Sequence, residues 1–382
     1  MREVHVASTL RSQISLSPHP MTALSPCSLL RHALAMHSLL FVATLATPSV
    51  AQTPASPPPA SSSTYLPLGI PKPGPVTDGP YAPQPILPGG IVVPLYPPDS
   101  PRLNRDKIRE AEKYNMGGSP GRIQSIVAIH NPSIEVHRVD TRSNTGAAII
   151  VVPGGGHRTL NVGSEGSDLV SWLFNYGITT VILRNRLKAD GYDLEKDAMI
   201  DALQSVRLVR AHAKEWNLDP TKIGILGFSA GAELAAWTAV FYDDYDRANA
   251  QPSDLLAGIS SRPDFVGLIY PGPTPFTRDP ATKIPVNVPP SFIVCAGSGD
   301  KVHAIWADTY FSSMLKAGVP NLEMHIYGNG THGGGLTDRG GVPFGTWQNR
   351  YIDWFRDLGF LERPGGVTKA AHDVDEFAKK KP

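Results

Sequence analysis

Between residues 123 and 361, short apolar runs alternate with stretches of helical period. "GAAIIVVP" (146–153), "KIGILGF" (222–228) and "SFIVCA" (291–296) are continuous apolar runs of strand length. Such runs mark strands buried on both faces. "ITTVILRNRL", "PDFVGLIYPG" and "NLEMHIY" read as further strands, and "SIVAIHNPSIEVHRVD" shows strand-like alternation, with Ile134, Val136 and Val139 flanked by polar residues. Between the strands, "EGSDLVSWLFNYG" predicts a helix closed by Gly177. Residues 195–219 predict a long helix with Ala202, Val206, Val209, Ala213 and Trp216 on one apolar stripe. "AELAAWTAVFY" and "ADTYFSSMLKAG" predict two more. A closing helix puts Trp347, Tyr351, Trp354 and Leu358 on one face. Strands alternating with helices predict an α/β fold with a mostly parallel central sheet covered on both faces, and a ligand site beyond the carboxyl ends of its strands.

The segments before and after this pattern read differently. In residues 1–51, Arg31 and His32 precede the apolar stretch "ALAMHSLLFVATLA", with small residues Ser49 and Ala51 behind it. That is the layout of an export signal, too short in its apolar part to span a bilayer comfortably, so a periplasmic or extracellular location with no stable membrane insertion is expected. Residues 52–103 are rich in Pro, Ser and Gly and read as a largely disordered linker. The alternating strand and helix pattern fills 104–363 as a single catalytic-size domain, and 364–382 read as a polar tail.

Composition narrows the function. Of 382 residues 41% are hydrophobic and 18% charged, and the formal net charge is +1. There is no basic stripe for nucleic acid and no acidic tail. There are two cysteines, Cys27 and Cys295; cleavage of the signal removes Cys27 and leaves no disulfide framework within one mature chain, and no Cys/His spacing resembles a metal site. No cofactor motif appears: "PGGGH" lacks the dinucleotide spacing, and no phosphate-loop lysine follows it.

The candidate chemistry starts at "LGFSAG". Ser229 lies between Gly227 and Gly231, after a buried strand and before a helix. Alone, G-x-S-x-G is a weak signal. At a strand-to-helix turn it fits a nucleophile on a sharp elbow, where side chains at 227 and 231 would clash. A serine needs a base. Asp300 follows the strand 292–296 and His332 follows the last strand, which gives the chain order Ser, Asp, His. Asp300 could instead be a helix cap and His332 a plain loop residue. His303 and His325 are rival bases, the first at a helix start and the second inside a strand. Asp264 precedes its strand, and Asp279 lies in a proline-rich excursion. "VVPGGGH" follows an early buried strand, where the N–H groups of Gly155 and Gly156, with that of Ala230, would receive an oxyanion, and His157 would touch substrate.

Residues 91–361 resemble the α/β-hydrolases of the secreted acetyl-esterase type: acetyl xylan and feruloyl esterases, and more distantly the hormone-sensitive-lipase group. The matching stretches are "VVPGGGH", "EGSDLVSWLFNYGI", "LGFSAGAELAA", "SSRPDFVGLIYP", "GSGDKVHAIWA" and "GNGTHGGG". Two positions depart from that pattern. His157 stands where an aromatic is common, and Ala232 followed by Glu233 where a second small residue is common. The resemblance implies a serine esterase acting on short acyl esters, including acetyl groups on polysaccharide. Two other readings are a serine peptidase related to prolyl oligopeptidases, whose extra β domain this chain has no room for, and a non-catalytic binding module, which would be expected to have lost one of the three site residues.

Overall fold

The computed structural model describes residues 79–117, 121–140, 142–336 and 343–381. They lie within one compact unit, Thr64–Pro382. The proposed signal segment and most of the proposed linker fall outside the described residues.

Ten strands are present among these residues: β1 (Ile91–Pro94), β2 (Lys113–Met116), β3 (Ile123–Val127), β4 (Ser133–His137), β5 (Ala148–Val152), β6 (Thr179–Arg184), β7 (Ile223–Phe228), β8 (Val266–Ile269), β9 (Ser291–Ala296) and β10 (Glu323–Tyr327). Eight form one sheet in the order β1-β4-β6-β5-β7-β8-β9-β10, and β2 pairs with β3 in a small ribbon. The β1–β4 and β4–β6 pairs are antiparallel, and the other pairs of the large sheet are parallel. Every residue of β5, β7 and β9 is buried. Successive side chains point to opposite faces, so both faces are covered. The continuous apolar runs have this origin.

Seven α-helices are present among the described residues: α1 (Asp168–Phe174), α2 (Met199–Ala211), α3 (Ala230–Ala248), α4 (Pro275–Arg278), α5 (Lys301–Lys316), α6 (Trp347–Asp357) and α7 (Lys369–Lys379). Trp172 of α1 meets Trp347 and Tyr351 of α6. Helices α2 to α5 pack against one another in series. The stripe expected in 195–219 is buried throughout, but α2 ends at Ala211 and the chain reaches Trp216 through turns. No helix of the described residues is long and apolar enough to cross a membrane.

Two expectations are corrected here. The globular fold begins before residue 104: Tyr81, Ile86, Leu95, Tyr96 and Leu103 are buried, and β1 is the edge strand of the sheet. Pro94 suits that edge, where a missing N–H deprives no neighbouring strand. The supposed polar tail carries α7. Thr368 caps it by accepting the Ala371 N–H at 3.1 Å, and Ala370 and Val374 are buried. The alternation in β4 does not mark a solvent-facing side, since four of its five residues are buried. Glu135 sits between its apolar neighbours with no exposure, in ion-pair contact with Arg184 of β6 at 2.6 Å.

Candidate active site

The register of the parallel strands lines up their carboxyl ends. Val152 pairs with Gly227, Phe228 with Ile269, and Ile269 with Val294. Tyr327 of β10 pairs with Ala296 of β9, so the loops leaving β5, β7, β8, β9 and β10 emerge side by side, and the candidate residues selected from the sequence sit on those after β5, β7, β9 and β10.

Ser229 links β7 to α3 with φ +52° and ψ −119°. Non-glycine residues avoid this region, and holding one there costs about 1–3 kcal/mol. The surrounding chain maintains the strain. The Ser229 N–H donates to the Ile269 carbonyl at 2.9 Å, and the Ser229 carbonyl accepts from Gly272 at 3.0 Å. A Cβ at Gly227 would stand 2.3 Å from the Gly231 carbonyl oxygen, and one at Gly231 would stand 2.1 Å from that of Val152. Both glycines are thus required by the close approach of strand and helix.

Ser229 Oγ lies 2.8 Å from His332 Nε2, and His332 Nδ1 lies 2.8 Å from Asp300 Oδ2. Three loops separated by up to 103 residues bring these groups together. Asp300 occupies the N-cap position of α5, yet its side chain caps nothing. Its second oxygen meets His303 Nδ1 at 2.5 Å. Burial alone would raise the Asp300 carboxyl, but hydrogen bonds from His303 and His332 outweigh it and hold the group below its ordinary range. Asp264 lies at the opposite end of the sheet, bonded to the Ile223 N–H and Arg210. His325 pairs with Glu323 on β10.

The glycine loop after β5 packs on the elbow. A Cβ at Gly154 would lie 2.9 Å from Ser229 Cβ. Gly155, Gly156 and His157 all have positive φ, at +132°, +63° and +57°. The N–H groups of Gly155, Gly156 and Ala230 donate to no acceptor among the described residues. Gly154 is held from behind: its N–H donates to Glu165 Oε2 at 2.8 Å. Glu165 Oε1 accepts from the Tyr270 hydroxyl at 2.8 Å, and that hydroxyl accepts from the Gly335 N–H at 3.0 Å. One buried carboxylate so ties the glycine loop to the loop carrying His332. Burial pushes the Glu165 carboxyl up, against the opposing pull of Tyr270, Gly154, Asn161 and the charge of His332.

The two departures from the acetyl-esterase pattern touch each other. His157 Nε2 lies 2.9 Å from Glu233 Oε2, and the other oxygen of Glu233 is paired with Arg278 at the end of α4. Arg278 in turn covers the Trp237 ring. The roles of Glu165, Tyr270, Glu233 and Arg278 were not legible in the sequence, because the partners that define them are distant along the chain.

Asp300, His303 and His332 also bring three donor atoms within 4.8 Å of one another. The two rings are stacked 3.9 Å apart and 22° from parallel. Their Nδ1 atoms meet separate oxygens of Asp300, and since a carboxylate only accepts, each Nδ1 carries a proton there and has no lone pair to offer a metal. Cys295 is buried in β9, and burial pushes its thiol up to about 12, so it is an inert core residue.

The parallel sheet, the strained serine elbow and the order Ser, Asp, His define an α/β-hydrolase. Within it, residues 134–257 match the BD-FAE family model. The chain is 30% identical over 230 residues to an acetylxylan esterase of Xylanibacter ruminicola, covering 56% of this chain and 45% of that one. It is 31% identical over 175 residues to endo-1,4-beta-xylanase B of Butyrivibrio fibrisolvens, covering 46% of this chain and 25% of that one. It thus spans less than half the length of these curated relatives. Among solved structures it resembles an acetyl ester-xyloside bifunctional hydrolase from Caldicellulosiruptor lactoaceticus, with TM-score 0.57 and 26% identity over 72% of this chain and 98% of that one.

Proposed function

We propose that this protein is an exported serine carboxylesterase that removes short acyl groups, acetyl above all, from hydroxyl-rich substrates such as acetylated polysaccharide. The observation that carries the reading is the hydrogen-bonded chain Ser229–His332–Asp300 at 2.8 and 2.8 Å, built on an elbow with φ +52°. In this reading Ser229 Oγ attacks the ester carbonyl while His332 Nε2 takes its proton. Asp300 fixes the imidazole tautomer and stabilises the imidazolium. The carbonyl oxygen becomes an oxyanion received by the N–H groups of Ala230 and of Gly155 or Gly156, each donor lowering the barrier by about 3–4 kcal/mol. His332 then gives its proton to the departing alcohol, leaving an acyl-serine. A water molecule, deprotonated by His332, attacks that acyl group, and Ser229 regains its proton as the acid leaves.

His157, on the rim beside the glycine loop, faces the substrate in this reading, with Glu233 fixing its ring. The acetyl preference draws support from the name of the Xylanibacter relative and from the segment between β8 and β9, which is proline-rich and offers no long apolar trough. A lipase needs such a trough, since acyl burial is worth about 0.8 kcal/mol per methylene.

The test is a series of nitrophenyl esters from acetate to decanoate, with acetylated xylan and a prolyl peptide amide alongside. The expected result is kcat/KM highest for acetate and release of acetate from the polymer. A rise toward decanoate rejects the short-acyl reading, and cleavage of the amide alone points to a peptidase.

A further inference from the structure

The geometry points to His303 as a positioning residue that keeps Asp300 out of a helix cap and aimed at His332. This inference rests on the reading of Asp300 as the acid partner of His332. Asp300 stands at the N-cap of α5, where an aspartate ordinarily turns its carboxylate to accept the N–H of the second or third helical residue. Here it accepts neither. Both oxygens are taken by imidazoles, Oδ2 by His332 at 2.8 Å and Oδ1 by His303 at 2.5 Å.

His303 is the third residue of α5, so its own backbone N–H is the group a capping Asp300 would engage. Its side chain instead supplies the donor that its main chain would have supplied. A carboxylate only accepts, so His303 Nδ1 carries the proton. The same holds for His332 Nδ1, which leaves His332 Nε2 unprotonated and facing Ser229 Oγ at 2.8 Å. The His303 ring is stacked on that of His332 with centroids 3.9 Å apart, and it meets Trp306 edge-on at 5.0 Å. The titratable groups in contact with His303 are therefore Asp300 from the cap and His332 from the loop after β10. With 18% of its side chain exposed against 36% for His332, His303 is the more enclosed of the two rings.

Removing the His303 donor leaves Asp300 Oδ1 without a partner and the capping N–H within its reach. The carboxylate then rotates toward the helix, and His332 loses the group that fixes its tautomer. His303→Asn keeps a side-chain N–H near the position of Nδ1, while His303→Phe keeps the stacked ring and removes the donor. The full chain is assayed on nitrophenyl acetate across pH, with proton NMR of the His332 Nδ1–H in the same samples.

His303→Phe and His303→Ala are expected to lose at least tenfold in kcat with KM within twofold of wild type. The acid limb of their kcat/KM profile moves to lower pH, because Asp300 no longer favours the protonated His332, and the downfield Nδ1–H resonance disappears. Their melting temperature stays at or above that of wild type, since α5 gains a cap. His303→Asn is expected to recover most of kcat, the wild-type acid limb and the resonance. Wild-type kcat and an unshifted acid limb in folded His303→Phe overturn the inference, as does a wild-type Nδ1–H resonance in that variant. Should the wild-type protein cleave no ester, the esterase reading fails, and the resonance alone still decides the role of His303.

Discussion

At one edge of the sheet, β4 and β6 bury Glu135 against Arg184, which also reaches Glu112 at 3.0 Å and the Gln84 carbonyl at 2.6 Å. At the carboxyl ends of β7 and β9, Asp300 meets His332, and His332 meets a half-buried serine. Both regions pair a carboxylate with a cationic or cation-forming side chain, yet their surroundings differ. Glu135 takes bonds from the Ile86 and Leu87 N–H groups and from His137, and its charge and that of Arg184 are locked in place. Burial, first among the influences, would raise the Glu135 carboxyl, but its hydrogen bonds and Arg184 hold it down. The site instead stops short of enclosure. Its last imidazole is more than a third exposed and faces a serine whose backbone is strained. The comparison sets a pair enclosed within the sheet against a chain of groups that ends at a part-exposed serine, the arrangement the proposed chemistry requires.

The sharpest way to separate the two regions is to remove one group from each. Ser229→Ala is expected to lower kcat about 10⁴-fold or more while the melting temperature stays within a few degrees of wild type, because the elbow depends on Gly227 and Gly231 rather than on the hydroxyl. Steady-state assays beside calorimetry check both halves of that statement. Arg184→Ala is expected to do the reverse. It strands two buried carboxylates and costs about 3–5 kcal/mol of stability. Whatever protein remains folded keeps its kcat within about threefold, roughly 0.7 kcal/mol. Denaturant titration gives the first number. A stable Arg184→Ala would mean that the edge network contributes little.

Glu165 belongs to both regions, being buried like Glu135 and adjacent to the site like Asp300. Glu165→Gln is expected to reduce kcat about tenfold, which corresponds to about 1.4 kcal/mol, because the variant lacks the negative charge that acts on His332. Its effect on stability has the opposite sign. A carboxyl raised in the folded state binds its proton more tightly there than in the unfolded chain, so the ionised form costs stability at neutral pH. Glu165→Gln should therefore melt at or above wild type at pH 7. Its advantage should shrink as pH falls through the folded-state value toward the ordinary carboxylate range. An advantage that grows on acidification would show that Glu165 is not raised.

Much of this was legible in the sequence, for physical reasons that differ from place to place. The strands β5, β7 and β9 are buried on both faces, and that alone writes an unbroken apolar run. Ser229 is flagged by glycines that backbone proximity demands. Glu135 was not legible, because in β4 it occupies what alternation reads as a solvent position and its partner Arg184 lies 49 residues away. Residues 79–103 were hidden by proline-rich composition, which an edge strand tolerates as well as a linker does. His303 was visible only as a rival base. Its place beside the acid depends on helix-cap geometry that spacing does not carry.

The central claim, that Ser229 is a nucleophile activated by His332, is tested most directly by covalent labelling. Ser229 Oγ should attack the phosphorus of a fluorophosphonate and displace fluoride, its proton passing to His332, and peptide mass mapping of the full chain should find a single adduct on Ser229. Ser229→Ala should take up none, and His332→Ala should label at least a hundredfold more slowly. An active enzyme whose Ser229 stays unlabelled, or an adduct on another residue in a Ser229→Ala protein that still turns over ester, would contradict the account.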